Sequence, residues 1–159
     1  MLLYIVRHGA AEPRRPELDD AARALTDKGR EQCRRMAGLL RRLELPEAIV
    51  TSPFLRAKQT AEEVKRAMRF NGPLRELPAL IPGTPVEEAE LALAGAAERC
   101  LLAVGHEPLL SEIIASLVGA GLRLDLKKGG LAELELESRR PPRGTLLGLV
   151  RPGYLRDEG

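Results

Sequence analysis

The opening run Leu2-Leu3-Tyr4-Ile5-Val6 is apolar without interruption and carries β-branched members. A run of this kind suits a strand covered on both faces, as in a parallel sheet between helices. Cys100 to Val104 repeats the pattern, and Glu47 to Thr51 is a shorter version. Between these runs the period changes. From Thr26 to Leu43, Cys33, Met36, Ala37, Leu40 and Leu43 recur at steps of three and four, which predicts an amphipathic helix ended by Pro46. Ser52-Pro53 reads as an N-cap followed by proline at the first helical position, so a second helix is expected there with Ala57, Ala61, Val64 and Met68 inward.

Further helices are expected near Val86 to Ala97 and over Leu109 to Val118, with a short extended piece at Leu74 to Leu77. Ala10 to Ala24, with Pro13, Pro16 and several charges, reads as an exposed loop with room for a short helical turn. Leu131 to Leu136 alternates apolar and acidic residues, and Thr145 to Val150 can pair with it across Pro141-Pro142-Arg143-Gly144. Strands alternating with helices predict an α/β sandwich whose mostly parallel central sheet ends in an antiparallel edge. With 44% hydrophobic residues, the 159-residue chain can bury one sizeable core, so residues 1–159 are expected to form a single domain.

The formal net charge is +2, which is no nucleic-acid-sized signal. With no Trp, two Tyr and two Phe, base stacking is unsupported as well. The charge is unevenly spread: residues 1–75 carry 16 basic and 10 acidic side chains, residues 76–159 carry 9 and 13. That imbalance fits an anion site in the first half, and a solvated helix face bearing Arg34, Arg35, Arg41 and Arg42 accounts for it equally well. Cys33 and Cys100 are isolated and have no histidines at metal-ligand spacing, so the expectation is buried, reduced thiols and no metal. The apolar start is too short for a signal peptide, and no segment reaches membrane-spanning length, which reads as a soluble, cytoplasmic protein without membrane attachment.

In open α/β sheets ligands bind beyond the carboxyl ends of the strands. That rule selects Arg7-His8 after the first strand, Ser52-Pro53 with Arg56 after the second, and His106 after the third apolar run. The chain has only these two histidines. Imidazole titrates near pH 6.5, so a neutral His8 can attack phosphorus and form an N–P bond, splitting the reaction in two. Arg7 and Arg56 can grip phosphoryl oxygens with guanidinium forks, Arg56 from the first turn of a helix, and a protonated His106 can meet a non-bridging oxygen. This scheme requires no metal and no cofactor. A surface arginine and a helix-capping histidine are the plain structural alternatives for Arg56 and His106.

Arg7-His8-Gly9 after a strand resembles the signature of the histidine phosphatase superfamily, which also includes the cofactor-dependent phosphoglycerate mutases. Leu25-Thr26-Asp27-Lys28-Gly29-Arg30-Glu31-Gln32 resembles its Leu-Thr-x-x-Gly-x-x-Gln helix start. Ser52-Pro53-Phe54-Leu55-Arg56-Ala57-Lys58-Gln59-Thr60 resembles its Ser-Pro-x-x-Arg-Ala-x-Gln-Thr segment, and Val104-Gly105-His106-Glu107-Pro108 its second-histidine block. The resemblance implies a three-layer α/β/α fold, His8 as the phosphorylated nucleophile, and a phosphate pocket completed by Arg7, Arg56 and His106. Residues after about 120 stay unassigned by it. Chain length and the Ser-Pro-Phe-Leu-Arg wording are most similar to the bacterial SixA-type phosphohistidine phosphatases.

Two departures bear on chemistry. Ala10 stands where many members place an acid directly after the signature, the nearest acid being Glu12, and no residue is an evident proton donor. Glu76, Glu87 and Glu88 are the candidates. An alkoxide leaving group needs a proton, whereas imidazole departs from phosphohistidine with a pKa near neutrality, so a missing acid favours an N–P substrate. The expected substrate is therefore phosphohistidine in a protein. The alternatives are a small phosphorylated metabolite, such as a sugar or nucleoside-type phosphate, and a silent phosphate- or phosphoprotein-binding module. A mutase is less expected, because the short loop after Gly9 offers little material for a lid.

Overall fold

The computed structural model describes residues 1–119 and 121–156. Six strands form one sheet: β1 (Leu2–Arg7), β2 (Ala48–Thr51), β3 (Leu74–Glu76), β4 (Cys100–Gly105), β5 (Leu131–Arg139) and β6 (Pro142–Val150). Their spatial order is β3-β2-β4-β1-β5-β6. The first four are parallel, while β5 runs antiparallel to both β1 and β6, giving the expected mixed α/β sheet with an antiparallel edge.

Four helices connect them: α1 (Asp27–Leu40), α2 (Leu55–Met68), α3 (Val86–Ala94) and α4 (Leu109–Val118). Alternate residues of the buried strands face opposite layers, as the pleat demands. Tyr4, Val6, Ile49, Leu102 and Val104 pack with Met36, Leu40, Ala61 and Val64 of α1 and α2. Leu3, Ile5, Val50, Leu101 and Ala103 pack with Leu93, Leu110 and Ile113 of α3 and α4 on the other side. Both faces are thus covered, which is why these strands read as continuous apolar runs.

Some boundaries differ from those expected. α1 ends at Leu40 rather than Leu43, and α3 stops before Gly95 rather than reaching Ala97. β6 begins at Pro142, inside the segment read as a turn. An edge strand tolerates proline because its outward N–H needs no partner. α2 starts at Leu55, two residues beyond the expected first helical position, with Phe54 at the N-cap and no side-chain cap.

The sheet order places a topological switch between β1 and β4. From β1 the chain passes through α1 to β2 on one side, whereas from β4 it passes through α4 to β5 on the other. Such a point leaves a crevice at the strands' carboxyl ends. Among the described residues, no helix is long and apolar enough to cross a membrane.

Candidate active site

His8 follows β1, His106 follows β4 and Ser52 follows β2, so three adjacent parallel strands deliver them to the same crevice. The two imidazole centroids lie 5.2 Å apart. Arg56, the second residue of α2, donates Nε–H to His8 Nε2 at 3.3 Å. His8, Arg56 and His106 are all buried, at 6%, 2% and 2% exposure.

The remaining contacts of His8 fix its tautomer. Its Nδ1 lies 2.7 Å from Gly9 O. A carbonyl oxygen only accepts, so Nδ1 carries the proton and the Nε2 lone pair faces Arg56. Burial, reinforced by the charges of Arg56 and Arg7, pushes the His8 pKa down to about 3, so the ring is neutral at pH 7.

His106 Nε2 is 2.7 Å from Ser52 Oγ, which also accepts from Phe54 N at 3.3 Å. The Ser52 hydroxyl thus serves a histidine and a loop amide, and α2 begins at Leu55 without a side-chain cap. Phe54 stands edge-on to His106 at 5.3 Å, and the Arg56 guanidinium lies 5.2 Å from the Phe54 ring centre. Burial, followed by the neighbouring His8 and Arg56, brings His106 to about 3 as well. The imidazolium expected at this position is therefore not the resting form, and a bound dianion would have to draw the proton in.

Arg7 takes a different place. Its Nη1 donates to Leu126 O at 3.0 Å, its Nε is buried without a hydrogen-bond partner, and its charge still reaches His8.

The loop after Gly9 contributes more than an exposed connection. Asp20 sits in a 3₁₀ turn, Asp20–Ala22, capped by Asp19. Its backbone oxygen and carboxylate accept from Arg56 Nη1 at 2.7 Å and Nη2 at 3.1 Å, and its other carboxylate oxygen accepts from Arg23 Nε at 2.8 Å. Burial pulls the Asp20 carboxyl up, but the hydrogen bonds and charges of Arg23 and Arg56 outweigh it and hold the group below its ordinary value. Arg23 is largely buried and its charge acts on both histidines. Asp19-Asp20 before Ala21-Ala22 is a readable N-cap signal. Its contact with Arg56, 36 residues away, is not local information.

The expected proton donors lie in other surroundings. Glu76 pairs with Lys58 at 2.6 Å, Glu87 lines a hollow with Arg139, Arg140 and Pro141, and Glu88 is exposed. Glu107, beside His106, is instead a carboxyl that burial pushes above its ordinary value.

The motif residues that carried the resemblance hold the loop. Thr60 Oγ1 accepts from Gly9 N, Gln32 Oε1 from Ala10 N, and Gln59 Oε1 from Leu25 N. Thr26 caps α1 by accepting from Gly29 N and donates its hydroxyl to Ala10 O.

The family model described as histidine phosphatase superfamily (branch 1) matches residues 3–81. Phosphohistidine phosphatase SixA of Escherichia coli is 34% identical over 122 residues, covering 74% of each chain. The chain belongs to the histidine phosphatase superfamily. It is a phosphatase, and its SixA-like character extends beyond the matched segment. An uncharacterised protein of Picosynechococcus sp. is 36% identical over 151 residues, 88% of each chain. The solved structure of the protein histidine phosphatase SixA complexed with tungstate superposes with TM-score 0.84 at 30% identity, over 98% of this chain and 100% of that one. A putative α-ribazole-5'-P phosphatase of E. coli shares the fold, with TM-score 0.75 at 21% identity over 96% and 98% of the two chains.

Proposed function

We propose that this phosphatase removes phosphate from phosphohistidine in proteins, without a metal, through a covalent intermediate on His8 Nε2. The observation that carries the reading is the Gly9 carbonyl on Nδ1. It leaves a neutral ring with its lone pair at Nε2, where Arg56 Nε–H donates in the position that phosphorus would take, so the guanidinium would turn from the ring to the phosphoryl oxygens as substrate enters. Arg7, Arg56 and His106 complete the pocket by offsetting charge on that oxygen. The SixA structure that superposes over its full length is a complex with tungstate, a tetrahedral oxyanion shaped like phosphate.

In the first step Nε2 forms a bond to phosphorus and the bond to the substrate's ring nitrogen breaks. The substrate ring, protonated on its other nitrogen, leaves as neutral imidazole and needs no strong acid. Water then attacks phosphorus, and phosphate leaves His8. The proton kept on Nδ1 lets His8 depart as neutral imidazole in turn. Asp20, the carboxylate bonded to the cluster, is held ionised by Arg23 and Arg56 and is a poor proton donor, which supports a substrate that does not require one.

One observation favours a phosphomonoester instead. Burial keeps Glu107 more easily protonated than an ordinary glutamate, which an alkoxide leaving group would need. The two readings are compared by measuring kcat/KM on a phosphohistidine peptide and on a panel of sugar and nucleoside monophosphates. The expected result is at least about a tenfold preference for the peptide. A monoester turned over faster would reverse the assignment, and Glu107→Gln would then abolish that activity. Neutral-pH mass spectrometry after rapid mixing should find phosphate on His8, and His8→Ala should be inactive on every substrate.

A further inference from the structure

Residues 126–130, beyond the reach of the motifs, are fastened to the backbone of the Arg7-His8 pair. Gly129 N donates to both Arg7 O and His8 O at 3.0 Å, and Arg7 N donates to Gly130 O at 3.1 Å. Gly129 has φ +69°, and a Cβ there would come within 2.8 Å of Gln32 Cβ and 3.1 Å of Pro152 Cγ. Glycine is thus required where this loop, α1 and the 3₁₀ turn Pro152–Tyr154 meet.

The junction leaves Lys127, Lys128 and Arg151 exposed around a hollow of about 500 Å³ that Arg7 also lines. Past Gln32, Pro152 and Gly153 the surface continues into a smaller depression of about 160 Å³ with Lys28, Glu31 and Arg35. Through Glu31 and Arg35 this joins a groove of about 890 Å³ bounded by Arg34, Arg41, Arg42 and Arg156. Among the described residues lining the three hollows, Glu31 is the one carboxylate, and it is ion-paired with Arg35; Lys127 and Arg34 are paired in turn with Asp125 and Glu63 beside the hollows, so the track's charge is carried chiefly by Lys28, Lys128, Arg41, Arg151 and Arg156. On a chain of net charge +2 this is a concentrated positive track that begins at a candidate phosphate ligand.

The geometry points to a docking track for a carboxylate-rich segment of the phosphorylated protein substrate, running from Arg7 along the outer face of α1. The inference rests on the protein-phosphohistidine reading. From Lys28 to Arg42, along α1 and the turn that follows it, the path rises about 20 Å, the span of about six extended residues. Other polyanions fit less well. Tyr154 is the one aromatic ring along the track, so nucleic-acid bases find little to stack on. It is also the one large apolar side chain well exposed there, so a lipid surface has little to receive.

The test uses the full chain and an unphosphorylated, fluorescently labelled heptapeptide rich in Glu and Asp, with binding read by anisotropy. The acidic peptide should bind and a lysine-rich one should not. Affinity should fall about tenfold in Lys128→Glu/Arg151→Glu, and also when ionic strength is raised from about 0.02 to 0.3 M. Lys128→Arg/Arg151→Lys should retain it. Equal affinity in the charge-reversed variant overturns the track, as does tighter binding of duplex DNA or of phosphatidylserine vesicles at the same salt. In turnover, an acidic flank should lower KM for a phosphohistidine peptide about tenfold, and the charge reversal should erase that advantage. Failure to turn over any phosphohistidine peptide, with monoesters still hydrolysed, would remove the substrate reading alone, since the anisotropy result stands apart from catalysis.

Discussion

Asp20 separates two roles that a carboxylate beside a phosphate pocket can take. Two of its acceptors grip Arg56 and a third grips Arg23, and its pKa is held down, so it is built to orient guanidinium groups and not to give up a proton. Asp20→Asn keeps one side-chain acceptor, whereas Asp20→Ala keeps none. Steady-state kinetics on any hydrolysed substrate should therefore show a loss in kcat/KM below about tenfold for the amide and larger, about 10- to 100-fold, for the alanine. Equal losses would instead mark Asp20 as an acid. Ser52→Ala, which removes the 2.7 Å contact to His106 Nε2, should lower kcat by about tenfold while leaving His8 in place. His8, Arg56 and His106 were legible because each directly follows, or begins the helix after, a strand written in apolar residues. Asp20 and Arg23 were not, because the contact that ties the pair to the site, Asp20 to Arg56, spans 36 residues, and their own segment looks like ordinary charged loop.

Among the elements, the junction between the β1 end and α1 carries the tightest constraint. A Cβ on Gly29 would fall 2.1 Å from Ala10 O, and one on Gly9 would fall 2.7 Å from Gly29 O. Helix and loop backbones touch here, and both opposing atoms are main chain, which cannot rotate away. Gly29→Ala should thus cost about 1–3 kcal/mol in urea unfolding and shift the loop that carries Gly9 and Ala10. Thr60→Val should cost a similar amount, about 1–3 kcal/mol, because the buried Gly9 N–H loses its acceptor. The periodicity of α1 predicted the helix and its inner face, yet the reason for Gly29, Gln32, Gln59 and Thr60 lay in contacts that no periodicity encodes. β6 extends beyond its apolar run Thr145 to Val150 for a similar reason. Pro142 and Gly144 suggest a turn until an edge position in the sheet makes them acceptable.

At the scale of the whole molecule, the switch point between β1 and β4 forces both histidines into the crevice where the two helical layers part, and this burial has a stability consequence. Each imidazole has a folded pKa near 3 against an ordinary value of 6.5, so the folded protein binds fewer protons than the unfolded chain at intermediate pH. The sign follows: the contribution is complete above about pH 6.5 and is lost as pH falls from there toward 3, by at most about 1.4 kcal/mol per pH unit for each ring. Carboxylates with lowered pKa, such as Asp20 and Glu63, lose their contribution in the same direction only at lower pH, below their ordinary titration range near 4. The interval from pH 6.5 to 5 therefore isolates the histidines. Glu107, raised by burial, acts in the opposite sense, but it is common to wild type and variant and cancels in their difference. The unfolding free energy from urea curves should be lower at pH 5 than at pH 7 by up to about 4 kcal/mol in the wild type and by distinctly less in His8→Asn/His106→Asn. Equal drops in the two proteins would mean that the rings are already protonated or solvated in the folded state, and the neutral, pre-formed nucleophile would lose its physical basis.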